Sequence, residues 1–126
     1  MTTPSILVVD DSPANMKLLT FLLENQGYDV RTAVDGEEAL DVLSSFHPDL
    51  VLLDLQLPGM DGLELARRLK ADPGNDRMLV VAVTASAMKG DEEKATEAGC
   101  DGYITKPIDT RSLPKLVASY LARRAP

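Results

Sequence analysis

A chain of 126 residues, 44% of them hydrophobic, is the size of one globular domain and can bury roughly 65% of its unfolded surface in a single core. Its formal net charge of −7 argues against direct binding to nucleic acid or to an anionic membrane, and the basic pairs Arg67-Arg68 and Arg123-Arg124 read as solvated helix faces. No apolar run approaches the ~20 residues that cross a bilayer. Met1 to Ser5 lacks the basic start and long apolar stretch of a signal peptide, and Cys100 is the only cysteine, so a cytoplasmic location is expected.

Turn signals divide the chain into five strand-then-helix units. The first strand, about 5–10, carries the continuous apolar run Ile6-Leu7-Val8-Val9, the pattern of a strand buried on both faces. Ser12-Pro13 supplies an N-cap followed by proline at the first helical position. Met16, Leu19, Leu22 and Leu23 then fall on one side of a helix that stops near Gly27. Tyr28 to Ala33 reads as a second strand. In Asp35-Gly36-Glu37-Glu38 an acidic cap stands three residues before a glutamate, opening a helix with Leu40 and Leu43 at helical spacing, and Pro48 breaks it.

The third strand, about 50–54, runs through Leu50-Val51-Leu52-Leu53 into Asp54 and the loop Leu55-Gln56-Leu57-Pro58-Gly59-Met60. Asp61 caps a helix through about Lys70, with Leu65 and Leu69 one turn apart, and Pro73-Gly74-Asn75 marks a loop. Val80 to Val83 is the fourth strand, ending at Thr84. A polar, alanine-rich helix spans roughly 88–98 and closes at Gly99. Gly102 to Thr105 is a short fifth strand leading to Lys106-Pro107. Leu113, Leu116, Val117, Tyr120 and Leu121 form the stripe of a last helix; Pro114, without an N–H, belongs in its first turn, so that helix starts later than Asp109.

Five such units joined by right-handed crossovers make a parallel sheet covered on both sides, and the expected architecture is an α/β, flavodoxin-like (βα)5 three-layer sandwich of order 2-1-3-4-5. The order reverses between strands one and three, which end in Asp10-Asp11 and in Asp54. Open α/β sheets bind ligands beyond the carboxyl ends of their strands at such a switch point. Three carboxylates gathered there repel one another, so one must protonate or a cation must be present. Oxygen-only ligands suit a hard cation such as Mg2+. The spacing predicts a magnesium site with one carboxylate left to react.

Asp10-Asp11, Asp54 in Leu53-Asp54-Leu55-Gln56-Leu57-Pro58-Gly59-Met60-Asp61-Gly62, Thr84-Ala85 and Lys106-Pro107 each stand at a strand end, in this order. On these residues the chain resembles, from Ile6 to Leu121, the receiver domain of two-component response regulators in the CheY-like superfamily. Ala82-Val83-Thr84-Ala85-Ser86-Ala87-Met88-Lys89-Gly90-Asp91-Glu92 looks most like single-domain cell-division regulators and the receivers of hybrid histidine kinases.

The resemblance implies that Asp54 accepts a phosphoryl group from the phosphohistidine of a sensor histidine kinase or a histidine phosphotransfer protein. It implies further that Asp11 and Asp54 bind Mg2+ directly, Asp10 through water and Gln56 through its backbone carbonyl, while Lys106 adds a second positive charge. A carboxylate is a competent nucleophile when positioned and charge-balanced, and phosphoryl transfer is catalysed mainly by positioning and electrostatics. The Thr84 hydroxyl can donate to a new phosphate oxygen, and small Ala85 leaves the entrance open. Tyr103 stands where the family carries an aromatic that turns inward once the threonine has moved, a two-state population shift. The Lys106-Pro107 bond is implied to be cis, aiming the lysine. Gln56 and Ser86 follow Asp54 and Thr84 by two residues, where the family tunes access of attacking water; neither is a carboxylate able to act as a strong base.

The expected working unit is a stand-alone single receiver domain over 1–126, without an output domain. It would act on a downstream target protein through phosphorylation-dependent contacts, as a monomer or weak phosphorylation-dependent dimer. It would assist its own phosphorylation and dephosphorylation without turning over an independent substrate. The expected output surface is helix four, strand five and helix five, and the donor docks beside helix one and Pro58-Gly59. Three alternatives stand beside this reading. One is a receiver cut from a hybrid kinase. Another is an aspartyl-phosphate phosphatase, which typically has a second aspartate where this chain has Gln56 and a cap domain for its substrate. The last is a partner-binding pseudo-receiver, disfavoured because no site residue is missing. Outside the constellation, Cys100 reads as a small buried hydrophobe, His47 as a surface loop residue, and Met16, Met60, Met78 and Met88 as packing residues.

Overall fold

The apolar runs form strands β1 (Ser5–Val9), β2 (Asp29–Ala33), β3 (Leu50–Asp54), β4 (Leu79–Thr84) and β5 (Gly102–Thr105). They alternate with helices α1 (Pro13–Glu24), α2 (Gly36–Leu43), α3 (Gly62–Ala71), α4 (Asp91–Glu97) and α5 (Ser112–Arg123). The computed structural model describes residues 3–57, 59, 61–75, 77–85 and 90–123. All strands pair in parallel, in the expected order β2-β1-β3-β4-β5.

Burial explains the strand sequences. Every residue of β3 is buried, whereas the edge strand β2 alternates exposed and covered positions. On one face of the sheet Leu7, Val9, Val51, Leu53 and Val80 pack under Ala39 of α2 and Leu65, Ala66 and Leu69 of α3. On the other, Ile6, Val8, Leu50, Leu52, Val81 and Val83 pack under Leu19 and Leu23 of α1 and Leu113 and Val117 of α5. Removing one such fully buried leucine side chain costs about 2–5 kcal/mol, so these layers fix the strand ends that carry the polar residues.

The caps act as the sequence predicts. The Ser12 hydroxyl accepts from the Asn15 amide, Asp35 Oδ1 from the Glu38 amide at 2.8 Å, and Asp61 Oδ1 from the Leu63 amide at 3.0 Å. Pro114 is the third residue of α5, in its first turn as expected, and Asp109 Oδ1 accepts from the Arg111 amide at 2.9 Å ahead of that helix. Some element bounds differ from the expectation. α1 stops at Glu24, because Gly27 takes a left-handed φ of +89° to reverse the chain. Tyr28 lies outside β2 and instead donates its amide to Leu23 O. Pro73–Asn75 is a 3₁₀ turn within the expected loop. The helix expected over 88–98 is shorter: α4 begins at Asp91, after Gly90 at φ +102°, a backbone no right-handed helix passes through.

His47 is exposed and Met78 buried, as expected, whereas Cys100 is only half-buried at the edge of the core. Arg67 and Arg68 lie on a solvated face, 3.7 and 3.4 Å from Glu64. Among the described residues no helix is long and apolar enough to cross a membrane.

Candidate functional site

Asp10 follows β1 by one residue, and its amide still donates to Ala33 O at 3.0 Å, extending the ladder. Its side chain turns back, Oδ1 accepting the Ser12 amide at 2.8 Å, so one carboxylate joins the end of β1 to the start of α1. Asp10 is 1% exposed. Burial pushes its carboxyl above the ordinary range, and the charges of Asp54 and Asp11 push the same way, against the Ser12 amide and the Lys106 ammonium. Asp11, next in the chain, is exposed.

Asp54 ends β3 opposite Val83 of β4, buried like Asp10. Its two oxygens have different partners. Oδ1 accepts the Gln56 amide at 2.9 Å, and Oδ2 faces Lys106 Nζ at 3.2 Å. Lys106 Nζ is also 3.6 Å from Asp10 Oδ2. The lysine is held in place from the backbone, its amide donating to Thr84 O at 2.7 Å, and the Lys106–Pro107 bond is cis as expected. The sheet therefore brings together residues 52 positions apart.

One oxygen from each of Asp10, Asp11 and Asp54 lies within 4.8 Å of the others. Opposite oxygens on one octahedral Mg2+ are about 4.2 Å apart, so oxygens gathered this closely suit a small, hard cation. Three clustered carboxylates, two of them beside one ammonium, also leave negative charge for a divalent ion to balance. The residues present fit such an ion.

Thr84 is buried at the end of β4, opposite Thr105, and Ala85 beyond it is exposed at the mouth of the site. Tyr103 lies half-buried in the edge strand β5; burial raises its phenol pKa, and the charges of Asp91 and Glu92 at the start of α4 raise it further. Gln56 is exposed, so its side chain stands at the entrance while its amide is tied to Asp54. Pro58, Met60, Ser86 and Met88 lie outside the described residues.

Gly62 is a residue that strand-end reasoning passed over. It opens α3, is buried, and packs directly on the backbone of Asp54 and Leu55. The available signal was a glycine immediately after the capping Asp61.

A parallel sheet of this order, with clustered carboxylates and one lysine at its switch point, defines the receiver class of signalling domain. Residues 6–118 match the family described as the response regulator receiver domain, and the chain belongs to that family. It is 45% identical over 119 residues to the polar-differentiation response regulator DivK of Brucella ovis, covering 94% of this chain and 97% of that protein. Among solved structures, a CheY-like response regulator receiver domain protein from Methanospirillum hungatei superposes with a TM-score of 0.86 at 33% identity, over 96% of this chain and 95% of that one. The receiver domain of a sensor histidine kinase from Pseudomonas aeruginosa, solved with a magnesium ion coordinated in its active-site cleft, also gives 0.86, at 30% identity over 96% and 99%.

Proposed function

We propose that this receiver takes a phosphoryl group on Asp54 from a histidine kinase or histidine phosphotransfer protein and signals through phosphorylation-dependent contacts with a target protein. The observation that carries this is the buried Asp54 carboxylate, its Oδ1 oriented by the Gln56 amide and its Oδ2 facing Lys106 Nζ at 3.2 Å. In the transfer step a bond forms from an Asp54 oxygen to phosphorus as the donor's N–P bond breaks, and the electron pair returns to the imidazole nitrogen. Asp10, Asp11 and Asp54, with the Gln56 carbonyl, would hold Mg2+, which when bound neutralises charge on the phosphoryl oxygens. Lys106 neutralises the phosphoryl oxygens from the other side, and Thr84 donates its hydroxyl to one of them.

Loss of the group is hydrolysis of the acyl phosphate by water. Gln56, exposed beside the acceptor, can orient or block that water but cannot deprotonate it, so the phosphorylated state is long-lived without a partner. The protein assists this chemistry on itself and turns over no independent substrate. Magnesium in the related sensor-kinase receiver supports the choice of ion. The 45% identity to DivK, a response regulator, supports the signalling role. A groove on α1 lined by Pro13, Met16, Lys17, Thr20 and the 66%-exposed Phe21 is available for the donor's helices.

Incubation with acetyl phosphate and Mg2+ tests the reading. Wild type should incorporate one acid-stable, base-labile phosphoryl group, and Asp54→Asn or removal of Mg2+ should abolish it. Full incorporation in either case overturns the assignment.

A further inference from the structure

We infer that Gly62 is a positioning residue for the cation site, an inference that rests on the site reading above. The φ of Gly62 is not in the left-handed region, so its backbone does not call for glycine. Alanine at such a position is ordinarily the better helix former. Packing gives the reason for glycine instead. A Cβ built there falls 2.5 Å from Leu55 Cα, 2.8 Å from Asp54 O and 2.9 Å from Leu55 O. All three are backbone atoms, and none can swing aside as a flexible side chain would.

Admitting a methyl group therefore requires one of two segments to retreat. α3 is held by Leu65, Ala66 and Leu69, each at most 3% exposed in the core. β3 is held in the sheet through Asp54, and the Leu55 amide donates to Val83 O at 3.1 Å. The part least held by packing is the peptide that follows, from half-buried Leu55 to exposed Gln56. That segment carries the Gln56 carbonyl that would ligate the cation, and the Gln56 amide that orients Asp54 Oδ1. The missing side chain at Gly62 sets this backbone before any ion arrives. Bulk there displaces one ligand and loosens another without touching either side chain.

Mg2+ affinity by calorimetry and metal-free thermal unfolding in EDTA, for wild type, Gly62→Ala and Leu63→Ala, test this. Leu63 is the next residue of α3, half-buried, and its truncation weakens the helix without adding bulk against Leu55. Displacing the support of a metal ligand typically costs 10–100-fold in affinity, so Gly62→Ala should bind Mg2+ at least roughly tenfold more weakly while remaining folded. Leu63→Ala should lose stability and keep its affinity. Wild-type affinity in Gly62→Ala, or an equal loss in both variants, overturns the inference. A second measurement needs no variant. In metal-free wild type, the Gln56 amide should show a 15N heteronuclear NOE at the level of the β3 amides, and a loop-like value overturns the inference even if Gly62→Ala fails to fold. Failure of wild type to bind Mg2+ at all would strike the site reading itself, whereas the comparison between variants reports on Gly62.

Discussion

Lys106 Nζ lies 3.2 Å from Asp54 Oδ2, the carboxylate oxygen left over once the Gln56 amide has taken Oδ1. Asp54 is 3% and Lys106 18% exposed in side-chain terms, so the pair is poorly screened by water. Replacing Lys106 by Met leaves two buried carboxylates uncompensated. Metal-free stability should fall by about 1–3 kcal/mol, and Mg2+ should restore part of it. Urea unfolding in EDTA and in Mg2+ measures both. A metal-free Lys106→Met as stable as wild type would show that the ammonium does not hold the acidic cluster together.

Asp10 carries the opposite expectation. It is the most buried of the acidic residues at the site and feels Asp54 and Asp11. Asn keeps an oxygen to accept the Ser12 amide while removing the charge. Asp10→Asn should therefore raise metal-free stability by about 1 kcal/mol and weaken Mg2+ binding roughly tenfold. Thermal unfolding in EDTA, paired with Mg2+ titration, reads both. A loss of stability without metal would show that the Asp10 charge is a net stabiliser through Lys106.

Cys100 should be chemically quiet. Burial pushes its thiol from the ordinary 9.0 up to about 11, with Asp101 adding to the shift and Lys70 opposing it. At pH 8 about one molecule in a thousand then carries the thiolate that alkylating reagents attack. The folded pKa lies above the unfolded one, so the unfolded chain loses its proton first. The stability contribution is whole below pH 9.0 and is lost as pH rises through about 11. Native-state alkylation should be slow and accelerate with denaturant, and Cys100→Ala should remove this part of the alkaline loss. Rapid labelling under native conditions would contradict it.

The output surface is expected at α4, β5 and α5. α4 is seven residues long, buries only Ala95 and has no side-chain cap at Gly90, so it is weakly anchored. Beryllofluoride, a phosphoryl mimic, should change amide exchange most in α4 and β5. Thr84→Ala should leave phosphorylation largely intact while reducing both that change and the phosphorylation-dependent gain in target binding. Changes confined to α2 and α3 would place the output elsewhere.

The strands and the acidic residues that end two of them were legible in the chain itself, whereas the order 2-1-3-4-5 was taken over from the flavodoxin-like pattern and is fixed by the pairing in the sheet. Ile6-Leu7-Val8-Val9 and Leu50-Val51-Leu52-Leu53 are continuous apolar runs, as strands covered on both faces must be, and each ends in aspartate. Proline, glycine and capping residues bounded the helices because their backbone preferences act within a few residues. That local reasoning overran at α4, where it included Gly90 in a helix that its left-handed backbone excludes.

What the chain alone did not determine is which partner each oxygen and each backbone segment meets. Asp54 divides its carboxylate between the Gln56 amide two residues on and the Lys106 ammonium 52 residues away, and the second of these exists because the sheet sets β5 only two places from β3, within reach of the lysine side chain. Cys100 ends half-buried at the margin of the core, and Gly62 has no room for a Cβ because α3 rests on the backbone of Leu55. Local preference depends on neighbours in the chain and can be read from them, whereas ion pairing, burial and close backbone approach depend on distances that packing of the whole sheet decides.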